Sequence, residues 1–199
     1  MEKLERFETR LRGQAGERET QYELVLAHLR HGRNAQALRM LEEMLRFPCR
    51  DARLFYARGA AYLSMSDYRK AGCDFLRTIV LDRDFIDAYR HLAFVQLTLG
   101  KEEAALKTLK SALARDSSDA LLYCVLGDVY LDTGEWEQAR EAFEKALDLE
   151  PRSAEPHCKL AMYYVSRGDM EGLKKEYEIL KDLAPEMAGQ IECLFFQLP

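Results

Sequence analysis

The side chains in this chain that could do chemistry are four histidines and five cysteines. His28 and His31 stand three apart, a spacing that puts two imidazoles on one face of a helix. No HExxH and no acidic ligand set accompanies them. His91, Cys124 and Cys158 are the other candidate metal ligands, but they fall in separate helical segments, and only a tight groove would gather them around one ion. There is no GxSxG nucleophile elbow, no CxxC pair, and no glycine-rich phosphate loop following a strand. The cysteines Cys49, Cys73, Cys124, Cys158 and Cys193 are odd in number and read as reduced, buried or half-buried thiols. This inventory points away from an enzyme and implies neither metal nor cofactor. The strongest pattern in the chain is apolar, and function has to be sought on a surface.

The elements that shape that surface are clearest between Ala120 and Ser153. Leu122, Leu126, Val129 and Tyr130 recur at the three-and-four spacing of a helix burying one face. Asp119 stands where it can cap that helix. Gly134 ends it, because glycine tolerates the left-handed backbone of a helix terminus. A second period runs through Trp136, Ala139, Phe143, Ala146 and Leu147 until Pro151 stops it. The segment therefore predicts helix, tight turn, helix. Gly127 and Ala139 are small enough for the two backbones to approach closely, with Tyr123, Tyr130, Trp136 and Phe143 filling the space around them. A lone hairpin of this kind leaves an apolar face bare and needs neighbours.

The same pattern returns every 34 residues. Ala37, Ala71, Ala105 and Ala139 form one series; Gly59, Ala93, Gly127 and Ala161 form another. Gly32, Gly100, Gly134 and Gly168 mark turns, with Ser66 in the missing place. Five contiguous units follow at 18–51, 52–85, 86–119, 120–153 and 154–187. Residues 1–17 are expected to hold a short capping helix, with Leu4, Phe7 and Leu11 on one face, and a linker. Residues 188–199 are expected to form an apolar capping helix.

The order of residues resembles the tetratricopeptide repeat: Tyr123, Leu126, Gly127, Tyr130, Ala139, Phe143, Ala146 and Pro151 fall on that family's signature slots. The resemblance implies an all-α fold, a right-handed α-solenoid of five 34-residue helix-turn-helix units with short helical caps at both ends. Some positions depart from the family. The first unit has Val25 in its small slot and His28 in an aromatic one. Arg58 stands where a leucine is expected and must snorkel or pair. Gln96 replaces an aromatic residue. Leu173 in a small slot is expected to push the fifth hairpin slightly open.

In the family, first helices line a concave groove that grips an extended peptide or a partner helix. Carried over to this chain, the groove is expected to offer Tyr22 and Leu26, then Arg53 and Tyr56, then Arg90, His91 and Phe94. It continues with Leu121, Cys124 and Asp128, and ends with Cys158 and Met162. Tyr22, Tyr56 and Phe94 have the character of anchors, and Arg53 and Arg90 could pair with acids on a ligand. The alternative for several of these residues is packing between adjacent first helices. A chaperone-tail clamp of lysines, asparagines and arginine is excluded, since the one asparagine, Asn34, lies at a turn.

The implied function is a protein–protein interaction adaptor or scaffold. A second reading is a self-assembling scaffold in which the apolar C-terminus, with Ile191, Leu194, Phe195 and Phe196, or the groove of one copy joins another copy. RNA binding ranks below both, because Glu19, Asp87, Asp128 and Glu155 in the groove repel phosphate. Net charge is −5, which does not favour bulk attraction to nucleic acid or anionic lipid. The N-terminus has no apolar signal core, and no run of 18 apolar residues occurs, so a soluble cytoplasmic protein is expected.

Overall fold

The computed structural model describes residues 18–46 and 50–196. The expected N-terminal cap lies outside the described residues, as do Cys49 and Leu198. Among the described residues there are helices and turns and no strand. The chain divides into two compact units, Met1–Leu99 and Gly100–Pro199. The division falls inside the third hairpin, where Ala93 and Leu109 stand in place of the glycine and phenylalanine of the hairpins before and after.

The first unit holds α1 (Arg18–Arg30), α2 (Asn34–Met44), α3 (Ala52–Ser64), α4 (Tyr68–Leu81) and α5 (Ile86–Thr98). Asp51 caps α3 by accepting from the Arg53 amide, and Asp67 caps α4 by accepting from the Lys70 amide. Val25, Ala37, Leu41, Leu54 and Ala57 form a core between α1, α2 and α3. Ala71, Phe75, Leu92 and Val95 form a second core between α4 and α5. The turn before α4 reaches φ 60° at Ser66, the left-handed value that glycine adopts in the equivalent turns. Arg58 does pair: its Nε and a terminal nitrogen donate to the two carboxylate oxygens of buried Asp74 at 2.7 and 2.8 Å.

The second unit holds α6 (Glu102–Leu113), α7 (Ala120–Asp132), α8 (Trp136–Leu149), α9 (Ala154–Arg167), α10 (Met170–Leu183) and α11 (Pro185–Ile191), followed by a π-helical turn at Glu192–Phe196. Asp119 caps α7 as expected, accepting from the Leu122 amide at 3.1 Å. The closing helix starts at Pro185, three residues earlier than expected, because a proline is well suited to the first turn of a helix. Ile191, Phe195 and Phe196 pack against a core of Cys158, Ala161, Leu173, Leu180 and Ala188.

Close approach is achieved by rings seated on glycines. A Cβ added at Gly59 would lie 2.8 Å from the Phe75 ring, and one added at Gly127 would run into the Phe143 ring. In the last hairpin the small residue has moved by one position. Leu173 is fully buried, and Gly172 beside it receives the Tyr164 ring.

Replacing Gly127 with alanine should destabilise the protein by roughly 1–3 kcal/mol, the usual range for overpacking, although alanine is the better helix former. Urea unfolding of G127A, F143L and the double variant is the measurement. The double variant is expected to lose less than the sum of the two single losses, because the smaller side chain makes room for the added methyl.

Candidate binding faces on the first helices

In the first unit the sequence-predicted residues lie on α1, α3 and α5. Arg53 does not stand ready for a ligand. Its two terminal nitrogens donate to the Glu19 carboxylate at 3.0 and 3.1 Å, and Nε and one terminal nitrogen also donate to Asp51. The guanidinium lies 5.0 Å from the centre of the Tyr22 ring. Hydrogen bonding from Arg53 holds the Asp51 carboxyl below its ordinary range. Arg90 is likewise paired, with Asp87 one turn earlier on the same helix. Each of the two arginines that could pair with acids on a ligand already has a carboxylate of this chain as its partner.

Tyr56 and His91 are largely absorbed by packing. The Tyr56 ring lies 4.7 Å from that of Phe85 and 5.8 Å from that of Phe75, and His91 stacks on Phe75 at 5.4 Å. His91 Nδ1 is 2.9 Å from the Asp87 carbonyl oxygen, which can only accept, so Nδ1 carries the proton. The Tyr56 hydroxyl sits 3.3 Å from the same nitrogen. Burial pushes the tyrosine up to about 12 and lowers the histidine, so both stay neutral near pH 7. Tyr22 and Leu26 are half-buried. Phe94 points outward, with 44 % of its surface exposed.

In the second unit the residues lie on α7 and α9. Leu121 is half-buried. Cys124 is only 2 % exposed and offers nothing to a ligand. It packs with Ala120 and Ala146, and burial drives its thiol up to about 12. Cys158 is also buried, with Sγ 3.4 Å from the Met187 sulfur. These two cysteines therefore belong to the interior. Among the described residues no three His, Cys, Asp or Glu side chains come together as metal ligands.

Asp128 and Lys159 pair across α7 and α9 at 2.7 Å, with Glu155 3.7 Å from the same ammonium. Burial raises the Asp128 carboxyl, and the lysine's charge works against that rise. For Lys159, burial pulls downward, but Asp128 prevails and keeps the ammonium charged. Met162 lies outward, 62 % exposed. Beside it is an apolar cavity of about 130 Å³, lined by Met162, Val165, Leu173, Met187, Leu194 and Phe195. Sequence reasoning did not single out Met187 or Val165. Their part depends on how α11 folds back on α9, for which no periodic signal exists. On the final segment Leu194 is 67 % exposed, whereas Ile191, Phe195 and Phe196 are partly covered. Phe196 lies 5.1 Å from the Tyr177 ring.

The family model described as TPR repeat matches residues 127–168. Among solved structures, MamA of Desulfovibrio magneticus RS-1 is 26% identical over 84% of this chain and 95% of its own, with a TM-score of 0.68. A thermophilic TPR protein of Thermus thermophilus is 22% identical over 88% of this chain and 99% of its own, with a TM-score of 0.78. YrrB, described as a TPR protein with an unusual peptide-binding site, is 17% identical over 94% of this chain and 98% of its own, with a TM-score of 0.62. No curated protein matches the chain. The chain thus carries a tetratricopeptide repeat at residues 127–168 and has the all-α fold of tetratricopeptide repeat proteins. No helix among the described residues is long and apolar enough to cross a membrane.

The raised Asp128 carboxyl has a signed consequence for stability. A carboxyl with a folded pKa above its unfolded value takes up a proton in the native state first, so its contribution grows as pH falls through the folded pKa. That contribution is complete below the unfolded value. Wild type should therefore gain stability relative to Asp128→Asn on acidification from pH 7 towards the ordinary Asp value of 3.8. Urea midpoints of both proteins across that range are the check; parallel curves would show that Asp128 is not shifted.

Proposed function

We propose that this protein is an interaction adaptor, and that the first-helix face of each compact unit holds a peptide segment or helix of a partner protein. The observation that carries the reading is the pair Phe94 and Met162. They occupy the same slot two repeats apart, and both are large, apolar and exposed, at 44 and 62 %. Charged groups on the first helices are bound within their own unit: Arg53 to Glu19 and Asp51 and Arg90 to Asp87 in the first, and Lys159 to Asp128 in the second. A face with its charges internally satisfied and its apolar side chains outward recognises a partner mainly through apolar anchors, with the ion pairs setting the rim. The fold likeness to YrrB, described as having a peptide-binding site, supports the same class of function.

A second reading, self-association through the C-terminus, is favoured by one observation, the exposure of Leu194 at 67 % beside the apolar cavity. One experiment separates the two. Wild type, the double variant Phe94→Glu with Met162→Glu, and Leu194→Glu are used as bait in extract of the source cell, and each is sized by sedimentation. The adaptor reading expects a partner that is retained by wild type and by L194E and reduced at least tenfold with the double variant, with all three baits monomeric. The same proteins captured by all three, or a concentration-dependent mass abolished by L194E, would overturn it.

A further inference from the structure

The outer face of α4 differs from that of every other second helix. Cys73, Leu76 and Val80 lie on it at i, i+3 and i+7, and Leu76 and Val80 are 50 and 78 % exposed. One repeat earlier, these slots hold Arg39, Glu42 and Arg46. Two repeats later, α8 carries Glu141, Glu144 and Asp148, and α10 has Lys175, Glu178 and Asp182. The corresponding part of α6 keeps two lysines, Lys107 and Lys110. A solvated helix face is ordinarily charged, and only α4 departs from this.

On α4 itself the charged residues beside the stripe are cationic, with Asp67 and Glu42 acting on Lys70 from outside the helix. Arg69, Lys70 and Arg77 share this face of α4. The only carboxylate within the helix, Asp74, is turned inward and bound to Arg58. Lys70 is paired with Asp67 at the helix start, at 2.7 Å. Arg77 lies 5.1 Å from the Phe55 ring. The stripe covers about two helical turns, roughly 10 Å at 1.5 Å per residue, which suits two or three anchor side chains of a single helix. A second copy would bring the same cations against themselves. Three side chains also fall well short of the roughly 800 Å² per partner of a standard stable interface.

We infer that the Cys73–Leu76–Val80 face of α4 is a second docking surface, for a short amphipathic helix of a partner protein that carries acidic residues beside its apolar stripe. It lies on a second helix of its hairpin, whereas the face assigned to the adaptor function lies on first helices, so the two can be tested apart.

The probe is a synthetic 15-residue helical peptide with leucines at i, i+3 and i+7 and flanking glutamates, titrated into the whole chain. Fluorescence anisotropy should saturate. Alkylation of Cys73, followed by mass spectrometry, should slow at least fivefold, while exposed Cys193 reacts at an unchanged rate. Leu76→Glu with Val80→Glu should weaken binding at least tenfold, Arg69→Glu should weaken it and reduce its salt dependence, and Phe94→Glu should leave it unchanged. Circular dichroism checks that each variant is folded. The inference fails if the peptide does not bind, if binding survives in the Leu76/Val80 variant, or if Phe94→Glu abolishes it. It also fails if wild type alone doubles in mass and Val80→Glu prevents this, which would make the occupant a second copy. Equally, it fails if the chain sediments with phosphatidylglycerol vesicles through this face in preference to the peptide.

Discussion

The seating of an aromatic ring on a glycine fixes the rest of the geometry. Phe143 lies where a side chain at Gly127 would be, and Phe75 does the same at Gly59. These contacts set which side of α3 and α7 faces its own hairpin partner, and buried Ala93 and Ala161 hold the same slot on α5 and α9. The next residue along a helix is turned by about 100°, since 3.6 residues make one turn. The residues that follow the small slots are Ala60, Phe94, Asp128 and Met162. They are rotated off the hairpin contact; Phe94 and Met162 are exposed and are the anchors of the proposed faces, one in each unit, and Asp128 is in a half-buried ion pair with Lys159. A structural constraint at one position thus selects the side chain that is turned outward beside it.

The charged groups of that face shape what it can recognise. Arg53 bridges two carboxylates and lies over Tyr22, so a ligand acid would have to displace an existing partner and gain only the difference. Exposed ion pairs contribute little to stability, with a median of about 0–1 kcal/mol. Here the ion pairs hold long side chains such as Arg53 and Lys159 in fixed places on the first helices. In the proposed adaptor, affinity rests on burying side chains such as Phe94 and Met162, and the charges discriminate among partners.

Much of this was legible in the sequence because it is periodic or local. The Asp119 cap, the glycine turns and the close approach at Gly127 each follow from residue type at a fixed place in the 34-residue interval. What escaped depends on contacts between elements. Cys124 occupies a slot that lines the groove in the family, yet Ala120 and Ala146 close over it. The partners of Arg53 could have been sought, since Glu19 lies one repeat before it in the same slot, but the pairing needs both side chains to reach across adjacent first helices. The one-residue move from Leu173 to Gly172 was hidden because both residues were present and only packing chooses between them. The apolar outer stripe of α4 was visible by aligning the repeats, and it stands out only once exposure shows that nothing among the described residues covers Val80.

The most direct test of the central claim is photo-crosslinking in the source cell from a benzoylphenylalanine placed at Phe94, with Met162 as a second site and exposed Lys145 on α8 as the reference position. The account predicts the same protein crosslinked through a defined peptide from Phe94 or Met162, and not from Lys145. Crosslinks of equal yield from all three positions, or from Lys145 alone, would contradict the assignment of function to the first-helix faces.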